Sequence, residues 1–150
     1  MARHLPAEWS PQGAVLLIWP HADTDWGPRL AAVEDAYAAL CLAITRHQPL
    51  VVVCRDRRVR DHALGKIAAT GAARAAIATF VVDTDDTWAR DIAPLTVLDD
   101  GLPVLIDCGF NGWGGKHEHA RDAAFGRNLV DSAGFATLGY ERADLVLEGG

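Results

Sequence analysis

Nine consecutive residues, Asp83-Thr84-Asp85-Asp86-Thr87-Trp88-Ala89-Arg90-Asp91, hold four carboxylates, one guanidinium and one indole. A carboxylate accepts two parallel hydrogen bonds from a guanidinium, and an indole face adds a cation–π contact. Asp91, with Trp88 three residues before it, supplies both parts. The mixture suits a pocket that holds something flat and cationic. Arg90 can pair with a neighbouring carboxylate, so Asp85, Asp86 and Arg90 are candidates for shaping the loop. A solvated acidic loop with Trp88 packed on the core stands beside that reading. A calcium loop is a third reading, because Asp83-x-Asp85 resembles the start of one. Trp88 then occupies the position where such a loop needs glycine.

Three further groups of residues bear on chemistry. His117-Glu118-His119 invites a metal reading, with Cys108 and His21 as extra ligands. No second motif with ligand spacing supports it, so exposed histidines ahead of a helix are the preferred reading and no metal is expected. Gly109, Gly112, Gly114 and Gly115 surround Trp113. The segment has neither phosphate-loop pattern, and no GxSxG elbow occurs anywhere in the chain. Glycines here let the backbone pass closely under a substrate or a neighbouring loop, which makes Trp113 a candidate substrate-binding residue. Glu148, ahead of Gly149-Gly150, is placed either as a second binding carboxylate or as a fraying terminal acid.

The elements that must position these residues are readable from pattern. Ala14 to Trp19 is a continuous apolar run closed by Pro20, which reads as a buried strand. A helix follows, with Pro28 in its first turn. Leu30, Val33, Tyr37, Leu40, Cys41 and Ile44 form its apolar face, and Arg29, Glu34 and Asp35 face the other way. Leu50 to Cys54 is the next strand. Asp56 caps a second helix with Val59, Ala63 and Ile67 inward and Gly71 as its stop. Ile77 to Val82 is a third strand that delivers the chain to the acidic stretch. Pro94 to Leu98 and Leu102 to Ile106 flank Asp99-Asp100-Gly101, a hairpin signal. Pro103 implies an edge strand or a strand start. Asp107 to Lys116 reads as a loop. A last helix is predicted over 122–133 with Phe125, Leu129 and Val130 inward, and a last strand over 144–150. Pro6 to Pro11 reads as an extended opening segment. The order β-α-β-α-β, hairpin, α, β is that of an α/β protein, and such proteins put sites in loops at strand ends.

Composition narrows the class. The chain has 150 residues, half of them hydrophobic and 23% charged, with no low-complexity tract. That is globular composition with room for a core. The net charge of −6 argues against a nucleic-acid backbone and favours cationic ligands. Cys41, Cys54 and Cys108 are an odd set without CxxC spacing, which argues against a disulfide framework. No apolar run approaches the roughly 20 residues of a membrane helix, and the first residues lack a signal-peptide core. A cytoplasmic protein with no membrane partner is the expectation.

Four motifs in order then point to one family. Leu5-Pro6-Ala7-Glu8-Trp9-Ser10-Pro11 followed by Trp19-Pro20-His21 resembles the N-terminal region of agmatine deiminases and bacterial-type peptidyl-arginine deiminases. Asp85-Asp86-Thr87-Trp88-Ala89-Arg90-Asp91 is similar to the family's N-D-S/T-W-x-R-D motif. Asp107-Cys108-Gly109-Phe110-Asn111-Gly112-Trp113-Gly114-Gly115-Lys116 resembles its G-F-N-x-W-G-G motif, and Leu147-Glu148-Gly149-Gly150 its L-E-G-G motif. The resemblance implies a pentein, a fivefold pseudosymmetric α/β propeller, of which this chain covers about the first two units. It implies hydrolysis of a guanidinium to a ureido group and ammonia without metal or organic cofactor, agmatine giving N-carbamoylputrescine on a putrescine-forming route. By position, Asp91 grips the guanidinium nitrogens as a catalytic residue, Trp88 walls the site, and Glu148 lies in the pocket. In the family a cysteine thiolate attacks the guanidinium carbon and a histidine serves as acid and base. Both lie beyond the L-E-G-G motif, and none of Cys41, Cys54 and Cys108 matches the nucleophile.

Residues 1–150 therefore read as the N-terminal part of a single deiminase domain, cut after that motif and inactive alone. The partner expected is a small guanidine, agmatine or a C-terminal arginine of a peptide. Self-association is expected of a propeller cut after two blades, because sheet edges and apolar surface stay open. A non-catalytic guanidine- or polyamine-binding remnant is the rival reading.

Overall fold

The computed structural model describes residues 3–132, 134, 135 and 137–148. The chain divides into two compact units, Gln12–Ala89 and Met1–Pro11 with Arg90–Gly150. Each has its own three-stranded sheet. Among the described residues no helix is long and apolar enough to cross a membrane.

The unit Gln12–Ala89 alternates strand and helix. Strands β1 (Val15–Ile18), β2 (Leu50–Cys54) and β3 (Ile77–Val81) pair in parallel in that order. Helices α1 (Leu30–Thr45) and α2 (Arg57–Ala69) connect them. The core gathers Trp19, Ala38, Cys41, Leu50, Val52, Ala63, Ile67 and Ile77, all buried. Trp19 meets Tyr37 edge to face with ring centroids 5.9 Å apart, an arrangement its quadrupole favours. Both ends of α2 follow local chemistry. Asp56 adopts the extended cap conformation and its Oδ1 accepts from the Val59 N–H at 2.8 Å. Gly71 then takes φ +80°, which stops the helix at no steric cost. Pro28 sits in a 3-10 turn, Gly27–Arg29, that leads into α1.

The polar face expected on α1 is corrected at one position. Glu34 is buried, with 6% of its surface exposed. Trp19 Nε1 donates to its Oε1 at 3.3 Å, and His62 Nε2 lies 3.1 Å from its Oε2. Helical spacing alone put it with Asp35, but α2 packs beside it and brings His62 and Lys66 within reach. Leu40, expected on the apolar face, is exposed.

The unit containing Arg90–Gly150 is built on strands β4 (Leu95–Asp99), β5 (Leu102–Gly109) and β6 (Gly139–Val146). The hairpin forms where predicted, but with Asp99 in the strand and a two-residue turn. Asp99 pairs with Leu102, and Asp100 and Gly101 both take positive φ, +48° and +83°. Such a turn matches the right-handed strand twist. β6 pairs in parallel on the other side of β5, beginning at Val104↔Gly139. Pro103 is thus at the start of a central strand and ahead of the ladder that would need its N–H. His4 bridges to Leu98 on β4, and Arg3 pairs with Asp99 and Glu141. The opening segment is less extended than expected, because the Ser10 N–H closes a turn onto Ala7 O.

Three boundaries change. β5 runs to Gly109, so Asp107 and Cys108 belong to a strand and not to a loop. Asp107 is 2% exposed, and its Oδ2 accepts from Tyr140 Oη at 2.7 Å and Arg142 Nη1 at 2.6 Å. The single late helix is two, α4 (Ala120–Ala123) and α5 (Phe125–Asp131), broken where the Ala124 N–H bonds three residues back to Arg121 O. Phe125, Leu129 and Val130 are buried as expected. The last strand starts five residues earlier than expected, at Gly139, and ends at Val146. Ala133, Gly149 and Gly150 lie outside the described residues.

Because the Asp56 cap is local, its removal is a clean test. Asp56→Ala should cost about 1 kcal/mol in urea unfolding followed by circular dichroism, while Asp56→Asn should change little.

Candidate functional site

Parallel pairing brings the loops after β1, β2 and β3 out at one edge of the Gln12–Ala89 sheet. The first loop carries His21, Asp23, Asp25 and Trp26, the second Arg55, and the third Asp83 to Trp88. Arg55 Nη1 donates to Asp23 Oδ2 and lies 3.0 Å from His21 Nδ1, and Nη2 lies 3.7 Å from Asp83 Oδ1. His21 Nδ1 also faces the Asp23 N–H at 3.3 Å. Two donors on one nitrogen assign Nδ1 as the acceptor of a neutral ring. Burial, with Arg55 beside it, holds the His21 pKa below the usual imidazole value and agrees with that state.

The acidic loop is bound to the first loop at further points. Asp86 Oδ1 accepts from the Thr87 N–H at 2.7 Å, and Asp86 Oδ2 accepts from the Asp25 N–H at 3.1 Å. Trp26 Nε1 donates to Thr87 Oγ1 at 2.9 Å. The Trp26 and Trp88 rings lie 6.1 Å apart at 39°. Trp88 keeps 38% of its surface exposed at this edge. Asp86 thus bonds both within its own loop and to the loop after β1. Arg55 and His21 were missed as partners. The one signal for them was an arginine directly after the central strand. Asp85 is half-buried in the same loop.

In the other unit, Asp91 stands on a one-turn helix α3 (Ala89–Ile92) and is half-buried. With Arg90, Ile92, Leu95, Cys108 and Leu147 it lines a small hollow. The Leu147 N–H bonds to Gly109 O at 3.0 Å and draws the chain beyond β6 alongside the end of β5. Glu148 follows Leu147 and is exposed.

Trp113 sits in an unusual turn. Gly112, Trp113, Gly114 and Gly115 have φ of +65°, +54°, +79° and +77°. With ψ at 52°, Trp113 is in the left-handed helical region. The Gly115 and Lys116 N–H groups bond four residues back to Asn111 O and Gly112 O, at 2.7 and 3.0 Å. This is one left-handed turn, a conformation that costs an L-residue about 1–2 kcal/mol. Asn111 Oδ1 accepts from the Gly114 N–H at 2.8 Å. The Trp113 ring stands edge-on to Phe110 at 5.0 Å and to His117 at 5.5 Å. A Cβ at Gly112 would lie 2.5 Å from His117 O, so the close approach read from the glycines is to a neighbouring loop of the chain itself. His117 and His119 serve here as ring and backbone partners. Among the described residues no three of His, Cys, Asp and Glu group as metal ligands.

Known proteins resemble this one along nearly its whole length. The family model of Porphyromonas-type peptidyl-arginine deiminases matches residues 4–150. The agmatine deiminase of Stutzerimonas stutzeri is 32% identical over 98% of this chain and 39% of its own length. The structure of the C. jejuni agmatine deiminase with substrate bound superposes with a TM-score of 0.86 at 26% identity, over 99% of this chain and 41% of that one. The agmatine deiminase of Enterococcus faecalis gives 0.78 at 25% identity, over 99% and 40%. This chain belongs to the Porphyromonas-type peptidyl-arginine deiminase family. It spans about 39% of the length of the curated relatives it matches.

The thiols divide by environment. Cys41 and Cys54 are buried, and desolvation pushes their pKa up to about 11 and about 12. Both stay protonated at neutral pH and are poor nucleophiles. Cys108 is part-exposed. Alkylation with iodoacetamide at pH 8 should modify Cys108 alone in the native protein and all three cysteines in denaturant, as read by mass spectrometry. The unfolded chain releases the Cys41 and Cys54 protons near the ordinary value of 9.0 and the folded chain only near 11 and 12. Stability should therefore be unaffected by these thiols below pH 9 and fall as pH rises through that window.

Proposed function

We propose that this chain supplies the guanidinium-binding side of a site that hydrolyses a guanidinium to a ureido group and ammonia. Agmatine is the favoured substrate, with N-carbamoylputrescine as product. The reading is carried by the half-buried Asp91, which shares a hollow with Leu147 next to Glu148 in a chain that matches the family over residues 4–150. The net charge of −6 suits a dicationic amine. Arginine in a peptide is the second substrate class, favoured by the match to the Porphyromonas-type peptidyl-arginine deiminases.

In this reading Asp91 holds the guanidinium nitrogens by charge-assisted hydrogen bonds. Trp88 and Trp113 offer aromatic walls to a flat cation. Glu148 is the second carboxylate, and Asp85, Asp86 and Arg90 shape the loop. The chemical step needs a thiolate to attack the guanidinium carbon, loss of ammonia, and water to hydrolyse the thiouronium formed. The buried Cys41 and Cys54 do not suit that role, and the resemblance assigns it to neither these nor Cys108. The architecture proposed is that of a pentein, with each three-stranded sheet as one propeller unit.

Titration of the chain with agmatine, followed by calorimetry, should show saturable binding that putrescine, lacking the guanidinium, does not reproduce. A hydrogen bond between charged groups contributes about 1.5–3 kcal/mol, so Asp91→Asn should weaken agmatine by about 10- to 100-fold. The 150 residues alone should release no ammonia from agmatine. Equal affinity of the Asp91→Asn variant and the natural chain would remove Asp91 from the site.

A further inference from the structure

Arg55 is the first residue after β2, the middle strand of its sheet. Its guanidinium reaches His21 and Asp23 in the loop on one side and Asp83 in the loop on the other. Its side chain is 20% exposed, whereas those of Asp23 and Asp83 are 76% and 52% exposed. One planar, permanently charged fork thus bonds two groups of the first loop and forms a longer ion pair with Asp83 of the third, a task that a lysine ammonium does not match in geometry. The same two loops meet again through Asp25 and Asp86 and through Trp26 and Thr87. The outcome is the tilted pair of Trp26 and Trp88.

We propose that Arg55 is an internal guanidinium that positions the loop carrying Trp88, and that its place among His21, Asp23 and Asp83 is itself a guanidinium site which a free guanidinium ion can fill when the side chain is removed. Access makes the second half possible. Arg55, His21 and Asp23 line an open cleft of about 770 Å³, with Pro20, Ala22 and Val59 among its apolar walls. A small cation can reach the vacated place from solvent. The acceptors match the ion: two carboxylates and an unprotonated imidazole nitrogen face its planar array of N–H donors. Arg55 acts through Trp88 and touches no substrate, so it is a positioning residue. That consequence for ligand binding rests on the function proposed above. The loop geometry and the rescue do not.

Indole N–H resonances of ¹⁵N-labelled protein read the effect directly. In Arg55→Ala the Trp26 resonance, set by its bond to Thr87, should move. The Trp19 resonance, set by its bond to Glu34, should stay. Low-millimolar guanidinium chloride should return Trp26 to its natural position, with the unsubstituted protein at the same guanidinium concentration as reference. Urea and sodium chloride should not. If Arg55→Ala does not fold, Arg55→Gln keeps part of the stem and two N–H donors and carries the same readout. An unmoved Trp26 resonance, or equal rescue by urea, overturns the proposal. Agmatine affinity separates the two readings. Weaker agmatine binding by the Arg55 variant, restored together with the Trp26 resonance by guanidinium, supports the positioning of Trp88. Agmatine affinity unchanged by the substitution overturns that link. Absence of agmatine binding by the unsubstituted chain, with guanidinium rescue intact, overturns the function and leaves the internal guanidinium standing.

Discussion

Parallel pairing of β2 with both of its neighbours is the constraint on which the Gln12–Ala89 unit depends. Ile18 pairs with Val53, and Cys54 with Val81. The ladder continues one step, with the Trp19 N–H on Val53 O and the Val82 N–H on Cys54 O. Three loops therefore begin at one level, and residues 61 positions apart, such as Trp26 and Thr87, come within hydrogen-bond reach. Parallel strands need crossover connections, and here α1 and α2 provide them while covering the apolar core. Sites in such sheets form beyond the carboxyl ends of the strands. The acidic loop of this chain sits there because the topology leaves its residues no other edge.

Two of the buried carboxylates, Glu34 and Asp107, are each met by a cation and by a neutral donor. Glu34 has His62, Lys66 and the Trp19 indole; Asp107 has Arg142 and the Tyr140 hydroxyl. A buried ion costs several kcal/mol to desolvate, about what such partners return when all are in place. These pairs therefore specify which surfaces meet more than they add stability. Gly126 illustrates the precision, since a Cβ there would fall on the Asp107 carboxylate.

The left-handed turn at Trp113 shows a different balance. Glycine tolerates positive φ freely, so three of the four residues carry no penalty. Trp113 does, and Phe110 and His117 hold its ring edge-on while the Asn111 side chain ties the turn together. Strain of this kind persists where packing over-determines it.

What the sequence determined by itself was mostly local. The hairpin at Asp100-Gly101, the Asp56 cap, the stop at Gly71 and the order of strands and helices follow from turn chemistry and hydrophobic period, which act within a few residues. The family motifs were equally legible, because each is a short run of unusual residues. Tertiary structure decided the rest. Glu34 went inward because α2 delivered His62 and Lys66 to it. Asp107 became a strand residue because Tyr140 and Arg142 arrive from β6. Arg55, marked by no motif, became the shared partner of two loops once β1 and β3 were laid on either side of β2. In each case the deciding energy is electrostatic and short-ranged, and the chain must fold before the groups that supply it are neighbours.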